Sequence, residues 1–304
     1  AGTEAASRQA ENADTPLVFV FNQLDNDNTN FESALDQCKT TFGSKVTVVQ
    51  YPVDPGVSFS SIIDVLKMKM YKYGPDGGKP EILDIPASEK EKADELHNEL
   101  VEMAAENEEA LMELYFDKGT LTEDEMRKGI KLGMLERGLF PVFCTCAKKN
   151  MGVGRLMEFI TNISPAPNEK KMSAIASGKQ VKMDASEAPS IFVYNTSVEP
   201  HVGEITYFKV MSGTIKEGLD LINTTNGNKE RLSQIFVSAG KNREKVDELV
   251  AGDLGCTVKL KDTKYNQTLS TKEADTKFEK IAFPTPRITV AMKATNDADD
   301  EKLG

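Results

Sequence analysis

The rhythm of apolar and polar positions changes near residue 189. Before it, short continuous apolar runs alternate with helical periodicity. Residues 16–22 (Pro-Leu-Val-Phe-Val-Phe-Asn) predict a strand buried on both faces of a parallel sheet. A helix is expected over 30–42: Thr29 and Glu32 form a capping box, and Phe31, Ala34, Leu35, Cys38 and Phe42 make one stripe that Gly43 ends. Residues 45–53 read as the next strand, completing a βαβ unit. Gly74 to Pro80 is turn chemistry. A long helix is predicted over 88–117, capped by Ser88 and Glu91, with Leu96, Leu100, Met103, Asn107, Leu111 and Leu114 repeating at helical spacing. A second helix opens with a Thr122–Glu125 capping box and carries Met126, Ile130 and Met134. Phe140 to Cys144 is another strand run. Val153, Leu156, Met157, Ile160 and Ile163 mark the helix after it, and Pro165 and Pro167 stop it.

Residues 168–188 are polar and read as a linker. After them the period shortens. Residues 190–198, 204–211, 219–223, 230–237 and 254–260 are short β-type runs, and Asn226-Gly227 is a strong hairpin signal. Such spacing predicts a barrel or sandwich. Arg287 to Met292 reads as a last strand.

The 304 residues suffice for about two domains. Tryptophan is absent, so the cores must be aliphatic and Met-rich. The apolar runs fall far short of the roughly 20 residues a membrane helix needs. The formal net charge is -11, which argues against global attraction to nucleic acid or anionic lipid. Residues 79–138 hold 17 acidic and 8 basic side chains, and so most of that excess. This stretch is either a solvated helical face or a docking surface for a basic partner. Residues 185–280 are nearly neutral, with 14 acidic against 13 basic. Four scattered cysteines suit a reducing cytosol rather than a disulfide framework. The chain begins at Ala1 without Met and stops at Gly304 as a charged helical pattern begins; both ends read as cut.

Two stretches after predicted strands carry candidate chemistry. Asn22-Gln23-Leu24-Asp25 lies at the carboxyl end of a parallel strand, where α/β sheets place ligands. A carboxylate there accepts two hydrogen bonds from a ring N–H and an exocyclic amine, the pattern guanine presents; Asn holds neighbouring loops and reaches a purine nitrogen. The alternative is a loop-capping Asn and Asp. Cys144-Thr145-Cys146-Ala147-Lys148-Lys149-Asn150 offers backbone N–H groups to the same crevice. His97 and His201 are remote in sequence, so two small buried thiols are favoured over zinc. The sequence has no G-x-x-x-x-G-K-[ST], so it lacks that backbone cradle for phosphates and that hydroxyl for magnesium.

In their order, these motifs resemble bacterial elongation factor G, the ribosomal translocase. Asn22-Gln23-Leu24-Asp25 is similar to the family's N-K-x-D. Leu111 to Tyr115 and Leu121 to Glu125 resemble its helical insert. Pro141 to Cys144 and Lys149 to Val153 resemble the last guanine-binding stretch. Val210 to Ile215 and Ala251-Gly252-Asp253 resemble its second-domain barrel, and Phe283 to Gly304 its third-domain opening. Gln23 stands in place of the family Lys, and Thr145-Cys146-Ala147 in place of G-S-A; both changes imply weakened guanine binding.

The resemblance implies a multidomain α/β plus all-β chain: a partial P-loop-GTPase-like α/β domain with an acidic helical insert, then a translation-factor β-barrel. Expected boundaries are 1–167 for the C-terminal part of the GTPase domain, with the insert at about 54–138, a linker at 168–188, the barrel at 189–282 and the start of a third domain at 283–304. Implied base contacts are Asn22, Gln23, Asp25, Thr145, Cys146 and Ala147. The implied parent is a cytoplasmic, monomeric GTPase that binds the ribosome and promotes GTP-linked tRNA–mRNA translocation. Its barrel would meet small-subunit ribosomal RNA, and its acidic insert the ribosomal stalk protein. GTP or GDP with Mg2+ would bind that parent; none is expected on this fragment, which should be inactive alone. The alternatives are a paralogue acting with little or no GTP hydrolysis, or a sibling such as a ribosomal-protection protein or release factor 3.

Overall fold

A computed structural model describes residues 2–170, 180–240, 242–283 and 285–295. The chain divides into two units, Ala1–Lys170 and Lys171–Gly304.

The first unit is mixed α/β. Its elements are α1 (Gly2–Asn12), β1 (Phe19–Phe21), α2 (Phe31–Phe42), β2 (Val46–Val48), β3 (Gln50–Val53), β4 (Ser61–Asp64), β5 (Lys69–Lys72), β6 (Glu81–Leu83), α3 (Lys90–Ala105), α4 (Glu109–Lys118), α5 (Glu123–Leu135), β7 (Phe140–Cys144) and α6 (Val153–Asn162). β1 and β2 both pair in parallel with β7, which is buried along its whole length. That burial is why β7 reads as unbroken apolar sequence. β1 is an edge strand among the described residues, and Val20 remains 42% exposed, so the expectation of burial on both faces fails there.

Local chemistry places the ends of the helices. Asn30, not Thr29, caps α2: its side chain accepts from Ser33 N at 2.9 Å. The Thr29 hydroxyl donates instead to the Gln23 carbonyl at 3.0 Å. The Thr122–Glu125 box forms as expected, and Met126, Ile130 and Met134 are buried. The predicted helix over 88–117 is broken into α3 and α4. At the break, Asn107 turns its amide back onto the Met103 carbonyl at 2.7 Å, competing with helix propagation. Glu89 rather than Ser88 precedes α3, with no side-chain cap. α6 buries Arg155 and Phe159, while Met157 and Ile160 stay exposed.

The expected strand over 45–53 splits at Val49. β2 joins the parallel sheet, whereas β3 starts an antiparallel sheet in the order β3-β4-β5-β6. The segment at about 54–138 is therefore not purely helical. β4 is buried on both faces, which erased the alternation that would have revealed it. Arg155 reaches Asp64 on β4 with Nη2 at 2.8 Å and Nε at 3.2 Å. Gln50 donates to the same oxygen at 3.0 Å, and Lys67 N donates to the other at 2.9 Å. This network ties α6 to the antiparallel sheet. Phe143 and Phe159 stack beside it with centroids 4.6 Å apart, each contributing about 1.5–3 kcal/mol through burial.

The second unit is β8 (Ser190–Glu199), β9 (Gly203–Ser212), β10 (Thr214–Lys216), β11 (Leu219–Asn223), β12 (Lys229–Leu232), β13 (Ile235–Ala239), β14 (Asn242–Val246), β15 (Glu248–Val250), β16 (Leu254–Val258) and β17 (Gln267–Ser270). Eight strands form one antiparallel, barrel-like sheet in the order β12-β11-β17-β8-β9-β16-β13-β14, and β10 pairs with β15. Ile191, Val193, Phe208, Val210, Leu221, Leu232 and Leu269 fill its core. Asn226-Gly227 turns the β11–β12 hairpin. The expected strand over 230–237 is two strands separated at Ser233-Gln234, where the Gln234 carbonyl accepts from Thr257 Oγ1 at 2.7 Å. Residues 287–292 do not form the expected strand: among the described residues no ladder partner satisfies their backbone, and Ile288, Val290 and Met292 are exposed. The expected opening of a third domain falls partly on residues 284 and 296–304, and the linker partly on 171–179; these lie outside the described residues.

Candidate nucleotide-base site

β1 and β7 are parallel neighbours, so the loops leaving their carboxyl ends emerge side by side. Thr145 N donates to the Phe21 carbonyl at 2.8 Å and extends the ladder into the loops. This brings Asn22 to the second candidate loop. Its Oδ1 accepts from Ala147 N at 2.9 Å and from the Thr145 hydroxyl at 3.1 Å. A backbone N–H can only donate, so the amide oxygen must face Ala147.

Asn22, Gln23, Asp25, Asn26, Cys146 and Lys148 line a cavity of about 330 Å³. All six sequence candidates meet around this junction, yet several are already engaged. Thr145 and Cys146 are buried, and the Thr145 hydroxyl is committed to Asn22. The Ala147 N–H, one of the backbone donors expected in the crevice, also points at Asn22. Gln23 is exposed in a left-handed conformation, with φ of 62°, so it carries the turn into Leu24 and Asp25. A larger cavity of about 660 Å³ runs along Thr3, Glu4, β1 and α2, but Asn22 is its only sequence candidate.

Asp25 is the most constrained member. Lys149 Nζ lies 3.1 Å from its Oδ2, the two side chains being 38% and 19% exposed. A hydrogen bond from the Cys146 side chain, with a second from Lys149, holds the Asp25 carboxyl below its ordinary range. Burial pushes the Cys146 thiol up, and the adjacent Asp25 carboxylate adds to that. Burial also raises Cys144 well above a normal thiol. All four cysteines are free and buried. Among the described residues no group of three or more His, Cys, Asp or Glu is placed to hold a metal.

Lys149 was missed as a site residue. It stands within a basic run, and nothing in the sequence pairs it with residue 25. The Gly74–Pro80 turn between β5 and β6 was missed for the same reason. It sits on this loop: Gly78 N donates to the Asn150 carbonyl at 3.2 Å, and a β-carbon at Gly77 would overlap the Lys149 carbonyl oxygen. With φ of 68°, Gly77 meets both demands that exclude other residues. The acceptor and donor set of Asn22, Asp25 and Ala147 therefore fits a purine edge in chemistry, but each group is already paired within the chain.

Comparison with known proteins adds a match within the second unit. Residues 188–272, spanning β8 to β17, match the family model Elongation factor G domain 2. Over those residues, the second unit is similar to elongation factor G. The crystal structure of ttk003000868 from Thermus thermophilus shares its fold with a TM-score of 0.83 at 24% sequence identity. That match covers 99% of this chain and 43% of that chain, so this chain spans under half the length of that structure. No helix of the described residues is long and apolar enough to cross a membrane.

Proposed function

We propose that this chain is part of a ribosome-binding translation factor that promotes GTP-linked tRNA–mRNA translocation in the cytoplasm. The observation that carries the reading is the match of residues 188–272 to Elongation factor G domain 2. The surfaces support two contacts. The nearly neutral barrel would meet small-subunit ribosomal RNA, where it does not repel phosphate. On α3, Glu91, Asp94, Glu95 and Glu102 are exposed at helical spacing on one face, and would meet a basic face of the stalk protein. Asn22, Gln23 and Asp25, with Thr145, Cys146 and Ala147, would form the guanine side of a GTP or GDP site. Phosphate and Mg2+ binding would need groups that this sequence does not carry, so the chain alone would act as a monomer without GTP hydrolysis. Co-sedimentation with ribosomes at physiological salt tests the reading. Saturable pelleting that requires the barrel is expected; pelleting no greater than that of an unrelated protein of equal charge would overturn it.

A second reading is favoured by Gln23 and by the internally paired Asp25. The longer protein would act on the ribosome with little or no GTP hydrolysis. Ribosome-stimulated phosphate release at rates typical of translational GTPases would exclude it.

A further inference from the structure

We infer that Lys149 is a resident occupant of the base site, standing in on Asp25 for the N–H donors of a guanine edge. Guanine binding by this chain then requires its displacement. The inference rests on the base-site reading above and goes beyond it.

Three observations converge. First, Lys149 Nζ lies 3.1 Å from Asp25 Oδ2 and places an N–H donor on that carboxylate. A guanine presents donors of the same kind, its ring N–H and exocyclic amine. Second, the complementary group is also satisfied: Ala147 N–H is held by Asn22 Oδ1 at 2.9 Å. A purine arriving at Asp25 Oδ2 and Ala147 N must exchange these interactions for its own, so the net gain there is small. Third, Lys149 is not a drifting surface lysine. Gly77 packs against its carbonyl oxygen, Gly78 N bonds the next carbonyl, and Cys146 and Met151 exchange two backbone hydrogen bonds of 3.0 Å across the loop. The β5–β6 turn therefore fixes the backbone from which the Lys149 side chain reaches Asp25. A partner that lifts the turn would release Asp25, and a partner that clamps it would keep the site closed.

The test uses guanosine 5′-monophosphate as probe and cytidine 5′-monophosphate as control, titrated into the whole chain and followed by amide shifts at 22–26 and 145–150. Lys149→Met keeps the stem and removes the charge; Lys149→Gln is the second variant, and each is compared with wild type by thermal midpoint. We expect both to bind the guanine probe at least tenfold tighter than wild type, and Asp25→Asn added to either to abolish that gain. Binding by both variants no tighter than wild type, with Asp25→Asn still weakening the wild type, overturns the occupant role and leaves the base site standing. Absence of guanine binding in all variants, or binding indifferent to Asp25, removes the base-site reading and this inference with it.

Discussion

Arg155 and Asp64 meet at 2.8 Å with their side chains 8% and 0% exposed, and the two belong to different layers of the first unit. Burial by itself would lower the Arg155 value, but the Asp64 carboxylate beside it raises it above its ordinary range, so Arg155 stays charged. Both Asp64 oxygens are used: Gln50 shares Oδ2 with Arg155, and Lys67 N donates to Oδ1. Removing one partner leaves a buried charge. Arg155→Met should cost about 3–5 kcal/mol in urea unfolding. Replacing both partners by apolar residues of similar volume should cost much less than the sum of the single changes. Additive losses in a double-mutant cycle would show that the two charges do not act as a unit.

The capping box at α5 has a smaller, local effect. Thr122 accepts from Glu125 N at 3.3 Å, and Glu125 accepts from Thr122 N at 2.7 Å. Thr122→Ala should destabilise the first unit by about 1 kcal/mol. Chemical denaturation measures it, and an unchanged midpoint would mean that water replaces the cap without loss.

Gly77 and Gly78 separate steric overlap from backbone strain. Both have positive φ, 68° and 83°. A β-carbon at Gly78 meets nothing within 4 Å, so Gly78→Ala should cost only the left-handed penalty of roughly 1–2 kcal/mol. At Gly77 the new atom would strike the Lys149 carbonyl. Gly77→Ala should cost more, and should shift the amide resonances of Lys149 and Asn150 while Gly78→Ala leaves them in place. Equal effects from the two would deny the close approach.

The thiols predict an alkaline limit. Burial pushes Cys38 from 9.0 up to about 11. The neutral thiol is favoured in the fold, so its contribution to stability is complete below pH 9 and is lost as pH rises through about 11. Unfolding midpoints should therefore fall across that window, and the fall should be smaller in Cys38→Ala. At pH 8 the native thiols should resist iodoacetamide and react once unfolded. Rapid native labelling at Cys38 or Cys144 would contradict their burial.

Elements with a strong local signal were legible: β7 from an unbroken apolar run, α5 from a capping box and the β11–β12 hairpin from Asn226-Gly227. What was illegible depends on polar residues that only tertiary pairing buries or aligns. β4 is Ser-Ile-Ile-Asp, buried on both faces with one polar residue on each, and shows no apolar-in, polar-out alternation. β14 is Asn-Arg-Glu-Lys-Val, and it is a strand only because β13 pairs with it residue by residue. The break at Asn107 turned on one amide choosing the Met103 carbonyl over the next helical turn.

Within the candidate site the division is similar. The chain order by itself determined that Asn22 to Asp25 and Thr145 to Ala147 each follow a strand, because apolar runs and the polar residues that end them are local facts. It also determined which donors and acceptors those loops carry. Only the tertiary structure decided how the groups are spent: parallel pairing of β1 with β7 puts Asn22 on Ala147 and brings Lys149 within reach of Asp25, while the Gly77 turn packs against the Lys149 backbone. A hydrogen bond between residues more than a hundred positions apart has no periodic trace. It exists because strand pairing and close packing fix both ends to within a few tenths of an ångström.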